Sequence, residues 1–348
     1  MQAIILAGGF GTRLRPLTYT RPKSLLPILN KPMIMHLVET LPPEVDRIVL
    51  AANYRRRQLE DYFEENGLSG RVVVNEEPMP LGTGGAVKFA KNYIDDTFFV
   101  LNSDILTSLD LKRMLSFHKE KRGAATISLW PVENVSEFGV VEYRDDGAIS
   151  RFVEKPRPED APSNLINAGA YILEPEVLDY IEKGRMVSME KEVFPRLIAD
   201  GRGFCGYRID EENTKKPYWI DLGRPKSCIN ATRLLLDRMN TTGFMAKNAK
   251  IDGEFLHSTA GAKVVVKAGS RIEDSILYDN AVIGEDAEVE CCIIGEGASV
   301  GDGAVLRNVV VGDKETVKAG ETLHDRIVWE KPVPADYPNK QVGNAIEF

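Results

Sequence analysis

Cysteine and histidine are both scarce in this chain of 348 residues, which contains four of each. Two of the cysteines, Cys291 and Cys292, are adjacent, so the cysteine spacing does not suggest a disulfide framework. No combination of cysteine and histidine has the spacing of a zinc site. The sequence therefore argues against a disulfide-stapled scaffold and against a zinc-dependent function.

The chain also lacks an excess of positive charge and a long apolar run. It contains 44 Lys and Arg residues and 52 Asp and Glu residues, which gives a formal net charge of −8. Bulk attraction to nucleic acid or to an anionic membrane is therefore not expected. No apolar run is long enough to span a bilayer, and no basic-then-apolar leader precedes the first apolar segment. We expect a soluble, cytoplasmic protein of two domains, without nucleic-acid or membrane partners.

What the sequence does contain is a glycine-rich opening stretch with basic residues. An apolar run over residues 3–7 predicts a strand, and it leads into the sequence GGFGTR at residues 8–13. Glycines allow a backbone to approach a ligand closely, and successive N–H groups in such a turn form an anion site. Full positive charges follow at Arg13, Arg15, Arg21 and Lys23. Together these features predict that a nucleotide phosphate binds at the carboxyl edge of a sheet.

Two familiar phosphate motifs do not fit this stretch. The dinucleotide fingerprint needs a third glycine where the chain has Leu14, and the P-loop needs a glycine where Pro22 precedes Lys23. The sequences GGFGTRL at residues 8–14 and PKSLLP at residues 22–27 instead match another pattern. They resemble the signature of sugar-phosphate nucleotidyltransferases, which join a nucleotide to a sugar 1-phosphate.

The first 240 residues have the pattern of an α/β domain. Apolar strands are predicted at residues 3–7, 47–52, 71–75, 97–101, 124–130, 139–143 and 149–153. Helices are predicted at residues 32–41, 55–66, 82–93, 175–182, 190–199 and 224–239. Alternation of continuous apolar strands with helical segments is typical of a mostly parallel sheet, whose ligands sit beyond the carboxyl ends of the strands. With the resemblance, residues 1–240 are expected to form a Rossmann-like nucleotidyltransferase domain.

The resemblance implies a nucleotide site built largely from backbone. Its expected members are Leu6, Ala7, Gly8, Gly9, Gly11, Thr12, Gly82 and Thr83. Gly82 and Thr83 lie in the sequence PLGTGGA at residues 80–86, which is similar to the family segment that meets the base. A flat base needs close backbone approach, which a glycine allows. Two catalytic cations are implied as well. Arg13 would bind the triphosphate and the leaving pyrophosphate, and Lys23 would neutralise charge near the α-phosphate.

Two aspartates are implied as ligands of a Mg²⁺ cofactor. Asp104 follows the predicted strand at residues 97–101, and Asp221 lies in the sequence WIDLG at residues 219–223. Carboxylate oxygens are the ligands that Mg²⁺ prefers, and it bridges readily to substrate phosphates. The chain departs from the family at Ser103, where a glycine is usual.

The resemblance also implies a site for the sugar 1-phosphate. Glu154 would accept hydrogen bonds from sugar hydroxyls, and Lys155 would hold the sugar's phosphate. Asn167 and the backbone around Gly139 and Gly169 would complete the pocket. The attacking phosphate oxygen is already an anion, so no general base is required, in agreement with the absence of histidine from every motif.

Residues 241–330 change character. Alanines recur at six-residue intervals, and mostly aliphatic residues follow them two positions later; the alanine pairs are Ala262 and Ala268, Ala281 and Ala287, and Ala298 and Ala304. This period suits a parallel β-helix and resembles the short left-handed β-helix appended to many nucleotidyltransferases. Such stacks leave ends and faces that need covering, so we expect a homo-oligomer. Residues 331–348 are predicted to form an extended tail.

The sequence leaves the substrate pair open. The segments at residues 52–55 and 80–85 look most like those of mannose-1-phosphate guanylyltransferases, which make GDP-mannose from GTP. Thymidylyl- and uridylyltransferases acting on glucose 1-phosphate share the same phosphate machinery. Two further alternatives are a non-catalytic regulatory paralogue, which would have lost its key charges, and a bifunctional enzyme whose β-helix transfers acyl groups.

Overall fold

The computed structural model describes residues 1–212 and 216–337. The chain forms two compact units, one made of residues 1–9 with 37–219 and the other of residues 10–36 with those from 220 onward. The predicted division at residue 240 stays a prediction. Residues 338–348 of the predicted tail lie outside the described residues. No helix in the described ranges is long and apolar enough to cross a membrane.

The first unit is built on a sheet of nine strands. They are Gln2–Leu6, Arg47–Ala52, Val72–Glu76, Phe98–Asn102, Ala125–Pro131, Gly139–Tyr143, Ile149–Glu154, Leu165–Leu173 and Phe204–Arg208. Gln2–Leu6 lies in the centre and pairs in parallel with Arg47–Ala52 and Phe98–Asn102. The apolar side chains of these strands are buried on both faces, which explains their continuous apolar runs. The predicted α/β fold is confirmed, with a mixed sheet: its central strands are parallel, and Leu165–Leu173 pairs antiparallel with Phe98–Asn102 and Ala125–Pro131.

Six α-helices are described: Met33–Val38, Arg56–Glu65, Gly82–Phe89, Leu111–Lys121, Phe194–Ala199 and Pro225–Arg238. Two predicted helices differ from the structure. Pro175–Tyr180 is a 3₁₀ helix, and the helix predicted at residues 190–199 begins as a π-helix at Met189–Val193. The helix Leu111–Lys121 was not predicted, although Asp110 caps it by accepting hydrogen bonds from two backbone N–H groups.

The second unit contains a parallel β-helix with three faces. Val265 pairs with Val282, and Val282 pairs with Ser299, so one coil takes 17 residues. One face consists of Lys250–Ile251, Val265–Val266, Val282–Ile283, Ser299–Val300 and Thr316–Val317. The second consists of Glu254–Leu256, Arg271–Glu273, Glu288–Glu290 and parts of Val305–Val311 and Thr322–Val328. The third begins with Gly243–Met245, Ser258–Ala260, Ile276–Leu277 and Ile293–Ile294. The predicted β-helix is confirmed, while its handedness stays a prediction.

The alanine pairs predicted for the β-helix are only partly equivalent. Ala281 is fully buried, and the residue one coil earlier is Val264, which is also fully buried. Ala262 is partly exposed and Ala268 is exposed, so this first pair lies outside the core. The register of the first coil is therefore shifted by two residues from the one predicted.

The second unit also contains most of the signature stretch. Residues 12–25 form three short 3₁₀ turns, Thr12–Leu14, Leu17–Tyr19 and Lys23–Leu25. A two-residue hairpin follows, in which Pro27–Ile28 pairs with Lys31–Pro32. The side chain of Asn30 at its tip donates to the carbonyl of Ala260, 2.7 Å away, which fixes the hairpin on the β-helix.

Candidate active site

The ends of the central strands place several predicted site residues at one edge of the sheet. Ala7 N–H donates to the carbonyl of Ala51, and Ser103 N–H donates to the carbonyl of Leu6. These bonds continue the strand pairing beyond Leu6 and fix the start of the turn that contains Gly8 and Gly9. Asp104, which is partly exposed, follows directly after Ser103. Phosphate and metal binding at this edge stays a prediction.

Gly82 occupies a position that only glycine fits without strain. Its φ is +70°, and a Cβ there would lie 2.7 Å from the carbonyl oxygen of Val187. The neighbouring Thr83 donates to the carboxylate of Glu190 at 2.7 Å and accepts from Met189 N–H at 2.9 Å. The predicted base-binding segment is therefore fixed against residues 187–190, with Gly82 itself exposed.

Glu77 is a buried carboxylate near this segment that the sequence reasoning missed. Its side chain is 7% exposed, and one oxygen accepts a hydrogen bond from Leu81 N–H at 3.1 Å. The other oxygen lies 3.7 Å from where a Cβ on Gly8 would stand. Burial raises the pKa of Glu77, while the Leu81 N–H acts in the opposite direction. The burial of Glu77 could not be predicted, because a glutamate followed by a proline has no local sequence pattern that indicates burial.

Two of the residues predicted to bind the sugar, Asn167 and Glu154, interact with a polar group that contains Glu190. Asn167 donates to the hydroxyl of Tyr171 at 2.9 Å, and that hydroxyl donates to Glu190 at 3.4 Å. Burial raises the pKa of Glu154, and the Glu190 carboxylate raises it further. Tyr171 and Glu190 were not predicted, because each sits among ordinary strand or helix residues in the sequence.

Gly139 and Lys155 flank Glu154. A Cβ on Gly139 would lie 2.4 Å from the ring of Phe152 and 2.9 Å from a Glu154 carboxylate oxygen. Lys155 is exposed and has a φ of +48°, with its N–H donating to the carbonyl of Phe138 at 2.9 Å. The strand thus ends at Glu154, and the next residue turns its backbone sharply. Glu154 and Lys155 are therefore consecutive residues at the end of a strand, and their role in binding a sugar phosphate stays a prediction.

The second unit brings together the two predicted catalytic cations and one predicted metal ligand. A Cβ on Gly223 would lie 2.8 Å from Asp221 Oδ1 and 3.0 Å from Arg13 Nη2, so these side chains share one small space. Burial raises the pKa of the neighbouring Cys228 thiol to about 12, with the charge of Lys23 lowering it and that of Asp221 raising it. Arg13 is exposed, whereas Lys23 is 9% exposed.

Gly11 explains how Lys23 is held. Its φ is +63°, and a Cβ there would lie 2.8 Å from Thr18 Cγ2 and 3.0 Å from Lys23 Cβ. The Thr18 hydroxyl donates to the Gly11 carbonyl at 3.0 Å. The carbonyl of Thr12, the next predicted nucleotide contact, accepts a hydrogen bond from Arg15 Nε at 2.6 Å. The loop is therefore packed on itself, with the backbone of Gly11 against the stem of Lys23.

One basic residue of the opening stretch, Arg21, is paired with carboxylates that the sequence did not predict. Arg21 was grouped with the phosphate-binding cations, but its guanidinium donates to Asp313 at 2.6 Å and to Glu296 at 2.7 Å. Its charge is already balanced by two carboxylates from the β-helix. These two partners could not be predicted because both are distant in the sequence.

The predicted Mg²⁺ ligands have suitable chemistry. Asp104 and Asp221 are partly exposed carboxylates, the hard oxygen donors that suit this ion. Within residues 1–212 and 216–337, no group of three or more His, Cys, Asp or Glu side chains could hold a metal on its own. Mg²⁺ is usually held by one or two carboxylates together with waters and substrate phosphates, so the chemistry of each aspartate suits this ion, and their joint binding of it stays a prediction.

Comparison with known proteins matches both parts of the chain. The family model described as nucleotidyl transferase matches residues 2–238, and the one described as GMPPB C-terminal domain matches residues 239–343. A probable mannose-1-phosphate guanylyltransferase 3 from Oryza sativa subsp. japonica is 38% identical over 302 residues, covering 81% of each chain. A mannose-1-phosphate guanyltransferase from Candida albicans is 43% identical over 250 residues, covering 69% of this chain and 66% of the relative.

Solved structures agree with this result. HddC from Yersinia pseudotuberculosis, complexed with GMP-PN, is 29% identical with a TM-score of 0.53, covering 66% of this chain and 97% of that one. A UDP-glucose pyrophosphorylase complexed with UDP-glucose is 26% identical with a TM-score of 0.58, covering 68% of this chain and 98% of that one. From its signature stretch, its sheet and these matches, the chain belongs to the nucleotidyl transferase family of enzymes.

Proposed function

We propose that the chain transfers a guanylyl group from GTP to mannose 1-phosphate, giving GDP-mannose and pyrophosphate. The relatives named mannose-1-phosphate guanylyltransferase, at about 40% identity, support this substrate pair. The structural observation that carries the reaction class is the joint location of Arg13, Lys23 and Asp221, which provides two cations and a carboxylate for a triphosphate. These charges also argue against a non-catalytic paralogue.

The chemistry is an in-line displacement at the α-phosphorus. An anionic oxygen of mannose 1-phosphate forms a bond to the α-phosphorus, and the bond from that phosphorus to the bridging oxygen of pyrophosphate breaks. The pyrophosphate leaves with the electron pair, and no proton has to move. The protein therefore contributes positioning and charge neutralisation rather than acid–base catalysis.

Each proposed site residue has a defined role in this reaction. Arg13 binds the triphosphate and then the pyrophosphate, while Lys23 neutralises charge at the α-phosphate. Lys155 orients the attacking phosphate, and Glu154 accepts hydrogen bonds from the sugar. Mg²⁺, when bound by Asp104 and Asp221, would neutralise phosphate oxygens.

The nucleotide site itself is made largely of backbone. Its proposed members are Leu6, Ala7, Gly8, Gly9, Gly11, Thr12, Gly82 and Thr83, while Gly139 and Asn167 complete the sugar site.

A matrix of nucleotides and sugars tests the proposal. The full chain is assayed with GTP, dTTP, UTP or ATP against mannose 1-phosphate or glucose 1-phosphate, with Mg²⁺, and pyrophosphate release is measured. We expect the highest kcat/KM for GTP with mannose 1-phosphate. Sugar epimers differ by the direction of one hydroxyl, and bases differ by a few hydrogen bonds, so the preference is a matter of few contacts. A clearly higher value for dTTP or UTP with glucose 1-phosphate would overturn the substrate pair.

A further inference from the structure

The carboxylate of Asp313 lies at a corner of the β-helix and makes contacts with both of its oxygens. Oδ1 accepts a hydrogen bond from the backbone N–H of Glu296 at 2.7 Å, which caps the preceding coil. Oδ2 accepts from Arg21 at 2.6 Å and also from the hydroxyl of Thr20. Its side chain is 5% exposed. Asp313 therefore joins a corner of the β-helix to residues 20 and 21 of the signature stretch.

Arg21 is enclosed by this corner rather than presented to a ligand. Its side chain is 19% exposed, it also donates to Glu296 at 2.7 Å, and its guanidinium lies 5.7 Å from the ring centre of Tyr278. Burial acts against the charge, but Asp313 and Glu296 outweigh it and raise the pKa of Arg21. Hydrogen bonds between charged groups are about twice as strong as those between neutral groups. This contact is therefore a firm attachment of the loop.

Aromatic side chains attach the same stretch at two further points. The ring centroid of Tyr19 lies 5.1 Å from that of Trp329 and 4.8 Å from that of Tyr337. The Tyr337 hydroxyl donates to the carbonyl of Phe10 at 3.2 Å. The segment from residue 10 to residue 21 is thus attached at both ends. Arg13 lies within it, and Lys23 follows two residues later.

We propose that Asp313 and Arg21 are positioning residues for nucleotidyl transfer, which the β-helix supports by fixing the loop that presents Arg13 and Lys23. The inference deepens the proposed function and rests on it. Neither residue touches substrate. The ion pair between Asp313 and Arg21 determines where Arg13 and Lys23 lie. The effect of these two cations on a phosphate depends steeply on distance, and a displacement of about 1 Å can lower a rate about 100-fold.

The first test replaces the charge of Asp313 and keeps its shape. In Asp313→Asn the side-chain oxygen still accepts from Glu296 N–H, while the amide nitrogen faces Arg21. Asp279→Asn is the matched control, because Asp279 Oδ1 makes the same bond to Ala262 N–H at 2.7 Å and is exposed. We expect kcat/KM to fall by about 10- to 100-fold in Asp313→Asn and to stay within about twofold in the control. Thermal unfolding of both variants is measured alongside.

A double-mutant cycle separates positioning from direct phosphate binding. If Arg21 acts through Asp313, then Arg21→Gln, Asp313→Asn and the double variant lose similar activity, and the second change adds little to the first. If Arg21 binds phosphate directly, Arg21→Gln is severely impaired while Asp313→Asn keeps near-normal kcat and GTP affinity. That result, or full additivity of the two losses, would overturn the proposal.

The outcome can be distinguished from a failure of the proposed substrate pair. The cycle is measured with whichever nucleotide and sugar 1-phosphate the unmodified chain uses best in the substrate matrix. A different preferred pair would refute the guanylyl assignment and leave the positioning test intact. Equal turnover of Asp313→Asn and the unmodified chain would refute the positioning role alone.

Discussion

Two glycines of the site are required by their backbone and by what lies against them. Gly11 and Gly82 both have positive φ, and at both positions a Cβ would meet an atom within 2.8 Å. A left-handed conformation costs a residue other than glycine about 1 kcal/mol or more. At these positions the close contact adds to that cost. Glycine is therefore needed at Gly11 for the packing of Lys23, whatever the ligand.

Replacement of Gly11 by alanine should lower both stability and activity. The added Cβ would press on Thr18 and Lys23, and we expect a loss of about 1–3 kcal/mol together with a reduced kcat. Gly9→Ala is the control for stability, because no atom lies within 4 Å of a Cβ there. Thermal unfolding is the measurement. Equal unfolding temperatures for the two variants would contradict the packing argument.

Replacement of Asp221 by asparagine should separate catalysis from folding. The change removes one charge beside Arg13 and Lys23 and a proposed Mg²⁺ ligand, so we expect kcat to fall about 100-fold or more. The side chain is only partly buried, so the unfolding temperature should change little. Asp160→Asn, on an exposed surface ion pair, serves as the control. Near-normal turnover of Asp221→Asn would remove this residue from the mechanism.

Glu77 should make the stability of the protein depend on pH in a known direction. Burial raises the pKa of Glu77 above 4.5, so the folded state binds a proton more tightly than the unfolded state. Its contribution is present below the unfolded pKa and is lost as pH rises through the folded pKa. From about pH 4 to about pH 7, the unfolding temperature of Glu77→Gln should therefore rise relative to the unmodified chain.

The control for this prediction is Glu159→Gln, which replaces an exposed glutamate. Its difference from the unmodified chain should stay constant over the same range. A difference for Glu77→Gln that shrinks as the pH rises would contradict the sign of the effect.

At the scale of elements, the β-helix depends on a ladder of polar side chains along one corner. Ser258, Ser275 and Cys292 follow each other at the coil period. Each donates to a carbonyl two residues earlier and accepts from the backbone N–H one coil later. Burial raises the pKa of the Cys292 thiol to about 12, so it stays protonated and can donate. The ladder satisfies backbone groups that turn inward at the corner.

Removal of one hydrogen-bonding side chain from this ladder should lower the stability of the protein, whereas exchange of the Cys292 sulfur for oxygen should change it little. Ser275→Ala leaves the N–H of Cys292 buried without its acceptor, which costs about 1–3 kcal/mol. Cys292→Ser repeats the arrangement of Ser258 and Ser275, and we expect a change below about 1 kcal/mol. Thermal unfolding followed by circular dichroism measures both. A greater loss in Cys292→Ser than in Ser275→Ala would contradict this account.

Elements were predictable where local pattern decides them. The strand at Arg47–Ala52 has the bounds predicted, because an apolar run buried on both faces has clear ends. The β-helix register was harder. A coil of 17 residues consists of two stretches of six residues and one of five. The six-residue spacing is therefore interrupted once in each coil, just before the third-face strand Ile276–Leu277. Residues with positive φ mark this same corner at the full 17-residue period; they are His257, Asp274, Cys291, Asn308 and Asp325, and the first three directly precede the polar ladder.

At the scale of the whole molecule, the sequence predicts candidate site residues but not all of the residues that they contact. Arg13 and Lys23 could be predicted from the signature stretch because the motif is contiguous. The partner of Arg21 is Asp313, 292 residues later, and no local pattern connects them. A net charge of −8 does not prevent an anionic substrate from binding, because the cations are concentrated near Asp221. Long-range pairs of this kind have to be observed in a structure.

Assembly of the molecule remains a prediction. The β-helix has an end strand at Gly243–Met245 and an exposed Val282 on one face. Exposed strand edges are usually covered, so we propose that the chain forms a homo-oligomer. Light scattering after size-exclusion chromatography at micromolar concentration should give at least twice the chain mass. A single monomeric species would contradict this proposal.

The central claim is guanylyl transfer at the α-phosphorus of GTP. It is tested most directly with GTP labelled at the α- or the γ-phosphate, incubated with the full chain, mannose 1-phosphate and Mg²⁺. We predict that the α-label appears in GDP-mannose and the γ-label in pyrophosphate. Recovery of the α-label in GMP or GDP, or transfer of the γ-label to the sugar, would contradict the claim.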